Sequence, residues 1–329
     1  ANVTLGARDT SPAHPKWVYR ALVQGMAYPD CPDERPGLRP LFERVIANRA
    51  APVSRTQPGF HKYLDAVAFY FAKLDKVGPS AAQVQQELLD WIEGHPGGDN
   101  ADWNARLRHT VLGAPYLYAL ADFRTFAHVY AYMVGGISVM VREAGWSGLV
   151  LLFDEAEKYG MLEPHNRLHA DNLFRCYATA ALGSRGVKFP LDSLRLGGAA
   201  VHRAIPVRHA GRQPLLCVFC VTPDGDGGRR ILGQCVDLDR HLLELHQLSE
   251  ADYGELVERV SHLFDRLHPG CLPPRARLQT VQKALARGVA NGTIHNPRAA
   301  IRVLGDVLDI QRLLPEHAQR HVAQLDARL

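Results

Sequence analysis

No stretch of the 329 residues reaches 18 uninterrupted apolar positions, so no membrane-spanning helix is expected. Nothing at the start reads as a basic-then-apolar leader ending in a small-residue cleavage site, so no secretory signal is expected either. A large excess of one charge is also missing. The 38 basic and 34 acidic residues leave a net charge of +4, too mild to argue for nucleic acid alone. Internal repeats and low-complexity tracts are absent, which sets aside solenoids and propellers. With 47% hydrophobic and 22% charged residues, collagen, coiled coil and bulk disorder are set aside too. A second cysteine pair is lacking. Cys217 and Cys220 form the one C-x-x-C, inside the apolar run 215–221, so reduced thiols in a strand are expected there rather than zinc or redox chemistry. That usage suits a reducing compartment, the cytoplasm. Finally, no lysine follows a glycine. The seven lysines follow Pro15, His61, Ala72, Asp75, Glu157, Val187 and Gln282, so the phosphate-cradling G-x-x-x-x-G-K-[ST] is absent.

At roughly 150 residues per domain, the length suits about two packed units. Asn2-Val3-Thr4-Leu5 reads as a short strand, and helical spacing follows over 16–28, with Trp17, Val18, Ala21, Leu22 and Met26 on one side. The prolines at 29, 32, 36 and 40 exclude regular structure before helices expected at about 40–50, 60–75 and 80–93, the last with Ser80 as N-cap. A weaker segment to about 120 precedes a long apolar helix over 122–143, which Gly135-Gly136 locally weakens. Leu149-Val150-Leu151-Leu152-Phe153 is continuously apolar, as a strand buried on both faces of a parallel sheet would be, and 215–222 reads the same way. A helix over 163–183, a loop over 184–214 and an exposed turn over 223–230 are expected around them. From Ser249, whose spacing to Asp252 suggests a capping box, helices are expected over 249–267, 274–289, 297–313 and 315–328.

The chemistry concentrates at Phe153-Asp154-Glu155. An apolar strand that ends in two acids is the Walker B arrangement. Mg²⁺ takes oxygen ligands and keeps several waters, so one carboxylate at a strand tip can hold it, and the next can orient an attacking water. The competing reading is a core strand with solvated terminal acids. Thr222, at the end of the second strand, stands where a polar sensor would lie, or is an ordinary strand-end threonine. Arg298, beside Pro297 at a helix start, could reach a phosphate, or is a surface arginine. Arg167, Arg175 and Arg185 are candidate arginine fingers. His165 and His169, four apart, read as solvated histidines rather than a metal pair. Arg203, Arg208, Arg212, Arg229 and Arg230 could touch phosphate backbone, but no aromatics interleave them for base stacking.

The run 125–159, with Arg142-Glu143-Ala144-Gly145-Trp146-Ser147-Gly148-Leu149 and Phe153-Asp154-Glu155, resembles the ATP-binding P-loop proteins of BREX-type phage-defence systems. Val18-Tyr19-Arg20-Ala21-Leu22, Trp91-Ile92-Glu93-Gly94, Leu248-Ser249-Glu250-Ala251-Asp252 and Asn296-Pro297-Arg298 continue the resemblance in order along most of the chain. More distantly, the plan is similar to origin-recognition-type AAA+ ATPases. The resemblance implies an α/β fold: a P-loop NTPase-like parallel sheet core over 1–10 and 146–247, a large helical insert over 11–145 and a C-terminal helical lid over 248–329. It implies ATP and Mg²⁺ as cofactors, with Asp154 serving the metal, Glu155 the water, Thr222 as sensor and Arg298 as lid arginine. Partners would be other defence-system proteins, with a homo-oligomer and DNA contact left open and no membrane. The chain departs from the family in lacking the phosphate loop. The expectation is that the loop lies upstream of Ala1, since a P-loop strand and helix would immediately precede the strand at 2–5; methionine removal before a small residue is the alternative. Two other functions stay open: a nucleotide-independent scaffold or DNA-contacting regulator with vestigial acids, and a helical interaction protein.

Overall fold

A computed structural model describes residues 2–4, 14–30, 32, 34, 36–51, 59–74, 81–95, 100–108, 115–118, 127–156, 162, 164–196, 204–221, 226–245, 248–294 and 296–329. The chain divides into two units, Ala1–Leu242 and Leu243–Leu329. The first is built on a parallel sheet of β1 (Asn2–Thr4), β2 (Leu149–Asp154) and β3 (Leu215–Phe219), paired in the order β1-β2-β3. The register sets Thr4 opposite Asp154, Leu149 opposite Leu215 and Phe153 opposite Phe219. Between β1 and β2 come α1 (Pro15–Gln24), α2 (Arg39–Asn48), α3 (Leu64–Leu74), α4 (Ala81–Ile92), α5 (Asn100–Arg108) and α6 (Ala127–Glu143). Between β2 and β3 runs α7 (Pro164–Leu182), and α8 (Asp226–Cys235) and the short α9 (Leu238–His241) follow β3. The unit is therefore an α/β mixture in which helix predominates.

Helix α6 is apolar on every side, and all its residues from 127 to 138 are buried, as a central core helix requires. It packs on α7, and α7 packs on β3. Phe153 and Phe219 stack at 4.6 Å across neighbouring strands, with Tyr177 of α7 edge-on to Phe153 at 5.3 Å. Such aromatic pairs add to the stabilisation that burial already gives.

The sheet departs from the sequence expectation on its far side. β2 alternates buried and exposed, with Val150 46% and Leu152 40% exposed, and Leu216 of β3 is 56% exposed. The continuous apolar run suggested burial on both faces, yet among the described residues only one face of β2 is buried. Topology supplies a reason. Strands added in one direction through right-handed crossovers place every connecting helix on the same face. The expected turn at 223–230 is also corrected, because α8 begins at Asp226 and carries the chain to Cys235.

The second unit holds α10 (Glu250–Leu267), α11 (Arg275–Ala290), α12 (Pro297–Leu313) and α13 (Pro315–Arg328). Tyr253, Val257, Val281, Leu285, Leu304, Val307, Leu308 and Val322 form its own core. The capping box at Ser249 is present: the Ser249 hydroxyl accepts from the Asp252 amide at 3.3 Å, and the Asp252 carboxylate accepts from the Ser249 amide at 2.7 Å. These bonds hold the Asp252 carboxyl below the usual carboxylate range.

Candidate functional site

The acids Asp154 and Glu155 stand at the carboxyl end of β2, the middle strand. Open parallel sheets bind ligands at these strand ends, because the loops there diverge and leave a crevice. Asp154 is exposed and shares the uncovered face with Val150 and Leu152, following the two-residue alternation of the strand. Its Oδ1 accepts from the Glu155 amide at 2.9 Å.

Glu155 has φ +54°, the only described residue other than glycine in the left-handed region. An L-residue there costs roughly 1–2 kcal/mol, because its Cβ crowds the carbonyl. The next residue, Ala156, is fully buried and donates its amide to the Cys220 carbonyl at 2.9 Å. The Cys220 amide in turn donates to the Phe153 carbonyl at 2.8 Å, so the ladder runs one residue past β3. The acid pair is thus clamped by Thr4 on one side and Cys220 on the other. An exposed Cys220 beside Asp154 at the strand end was not singled out by the sequence pattern, since its C-x-x-C partner drew the reading toward the pair. Three residues apart in a strand, Cys217 and Cys220 face opposite sides and cannot share a metal ion. Loss of hydration pushes the Cys217 thiol up to about 12 and the Cys235 thiol up to about 11, which keeps both protonated and inert.

The remaining candidates scatter. Thr222 and Arg203 lie outside the described residues. Arg298 belongs to the second unit, exposed in the first turn of α12; there the Asn296 side chain caps the helix by accepting from the Ala299 amide at 2.8 Å, and Pro297 follows it. Arg167 spends its Nε on the Leu162 carbonyl at 2.7 Å. Arg175 lies over the Phe189 ring at 5.3 Å, and Arg208 donates to the Ala210 carbonyl at 2.8 Å. These three guanidiniums serve the fold, whereas Arg185, Arg212, Arg229 and Arg230 are exposed. The His169 ring lies 6.2 Å from that of His14, and among the described residues no three His, Cys, Asp or Glu side chains gather as a metal site. No described helix is long and apolar enough to cross a membrane. No protein-family model, curated protein or solved structure matches this chain.

Proposed function

We propose that the chain is an ATP-binding and ATP-hydrolysing module of the P-loop class, acting with partner proteins in a phage-defence assembly of the BREX type. The observation that carries this reading is the acid pair at the carboxyl end of the central parallel strand, with Glu155 held in a costly backbone conformation. Asp154 would hold Mg²⁺, which neutralises phosphate charge when bound, and Glu155 would orient and deprotonate water. Thr222 would sense the γ-phosphate, and Arg298 would act as the lid arginine. The residues present fit such a site: Asp154 is an exposed carboxylate at the strand tip that can take a water-rich Mg²⁺, and the Glu155 carboxylate stands next to it. The phosphate half requires a cradle that the 329 residues lack. The exposed apolar side chains of Val150, Leu152 and Leu216 support its supply by a further strand–loop–helix, because parallel sheets are ordinarily covered on both sides. ATP turnover by the chain in the presence of a phosphate-cradling loop, abolished in Glu155→Gln with nucleotide binding retained, is the expected result. Salt-dependent DNA binding without turnover, indifferent to the same substitution, would replace this reading with the DNA-contacting regulator.

A further inference from the structure

Gly135 and Gly136 stand in the middle of α6, and each admits one polar side chain. A Cβ on Gly135 would overlap the Gln213 amide, and a Cβ on Gly136 would overlap the His61 ring. His61 precedes α3 and is buried. Its Nδ1 accepts from the amides of Leu64 at 3.1 Å and Tyr63 at 3.3 Å, and its Nε2 lies 3.2 Å from the Tyr132 carbonyl of α6. Facing two donors, Nδ1 must carry the lone pair, so Nε2 carries the proton and donates. Asp65 completes the cap by accepting from the His61 amide at 2.7 Å. Both ring nitrogens are therefore committed, and this ring has no place for a second proton.

The His209 ring lies 4.6 Å from the His61 ring and 5.2 Å, edge-on, from Tyr132. His209 belongs to the segment 204–214 that feeds β3, and three neighbouring contacts fasten that segment. His209 packs on the insert. Gln213, with its amide turned to satisfy both neighbours, donates to the Ala180 carbonyl at 2.5 Å and accepts from the His209 amide at 3.1 Å. Arg208 reaches the Thr179 carbonyl near the end of α7 at 3.5 Å. The charged and titratable groups facing the histidines are Asp65 of α3, its partner Arg49 at 2.8 Å, Glu143 of α6 on Arg49 at 2.5 Å, and the phenols of Tyr63 and Tyr132, while the neighbouring Arg208 turns to the Ala210 and Thr179 carbonyls.

We propose that His61 and His209 form an acid-operated latch: with both rings neutral, the segment 204–214 is fastened through His209 to the helical insert, and a proton taken up by His209 releases it from the insert. His209 is the half-buried member of the pair and so the one a proton reaches. Burial lowers the pKa of both imidazoles, the nearby His209 lowers that of His61 further, and Asp65 draws His209 part of the way back. A released His209 titrates near 6.5 and a latched one lower. The latch is therefore fully stable above about 6.5 and weakens as pH falls toward the latched value, by up to about tenfold per pH unit in the opening equilibrium.

Hydrogen exchange of the full chain at pH 7.5, 6.5 and 5.5, corrected for intrinsic exchange rates, reads this directly. Peptides confined to 204–214 should lose several-fold to tenfold protection between pH 6.5 and 5.5, while those of the second unit hold theirs. His209→Phe keeps the ring contact and removes the proton acceptor, so its 204–214 peptides should show a flat profile. Wild-type protection that does not change with pH over this range would overturn the latch, as would a His209→Phe profile as steep as the wild-type one. If His209→Phe fails to fold, the wild-type profile alone decides.

Discussion

Glu155 joins the two concerns of a residue, its backbone and its chemistry. Its φ of +54° suits glycine far better than glutamate, yet glutamate occupies the position that follows the exposed Asp154. Glu155→Gly should therefore raise stability by about 0.5–1 kcal/mol, seen as a higher urea midpoint, while removing the proposed water-orienting acid. A lower midpoint would mean that contacts of the Glu155 side chain outweigh the backbone cost. The acid pair itself was legible in the sequence, because an apolar run closed by two acids has few other placements than a strand end. The left-handed turn was not, since it arises from Ala156 being drawn to the Cys220 carbonyl on a strand more than 60 positions later.

At the scale of elements, the same residue type has opposite effects in two helices. Gly136 in α6 lies against His61, whereas Gly305 in α12 has open space where a Cβ would go. Gly305→Ala should stabilise the second unit by about 0.5–1 kcal/mol through helix propensity alone. Gly136→Ala gains the same term but forces a close overlap, and should destabilise the first unit by about 1–3 kcal/mol. Thermal midpoints followed for each unit would show shifts of opposite sign. Periodicity located α6 and flagged its glycines as a weakness, but the side chains that fill the gap come from residues 61 and 213 and leave no local signal. In the same way, α8 was read as a turn because glycines and acids dominate its first residues, while its later apolar positions, Leu232 and the buried Cys235, join the core of the first unit.

At the scale of the molecule, each unit has its own core. The bundle of α10 to α13 buries Val281, Leu285, Leu304, Val307, Leu308 and Val322 among its own helices, with capped starts at Ser249 and Asn296. A polypeptide of residues 243–329 should accordingly fold alone, with helical circular dichroism and one cooperative thermal transition. A gradual loss of helix without a midpoint would contradict this. In the first unit, Val150, Leu152 and Leu216 leave apolar side chains exposed on one face of the described strands.

Local sequence specified the succession of helices and strands apart from α8, the capped helix starts at Ser249 and Asn296, and the two acids at a strand end. Each of these follows from side chains within a few residues of one another, where spacing and capping act directly. Tertiary structure alone decided that β1, β2 and β3 lie side by side in that order, that Val150, Leu152 and Leu216 are exposed, and that His61, seated against Gly136, meets His209. These outcomes depend on which way each crossover turns and on close approaches between residues far apart in the chain. No local pattern encodes such contacts, because their free energy arises only when the distant segments are already together.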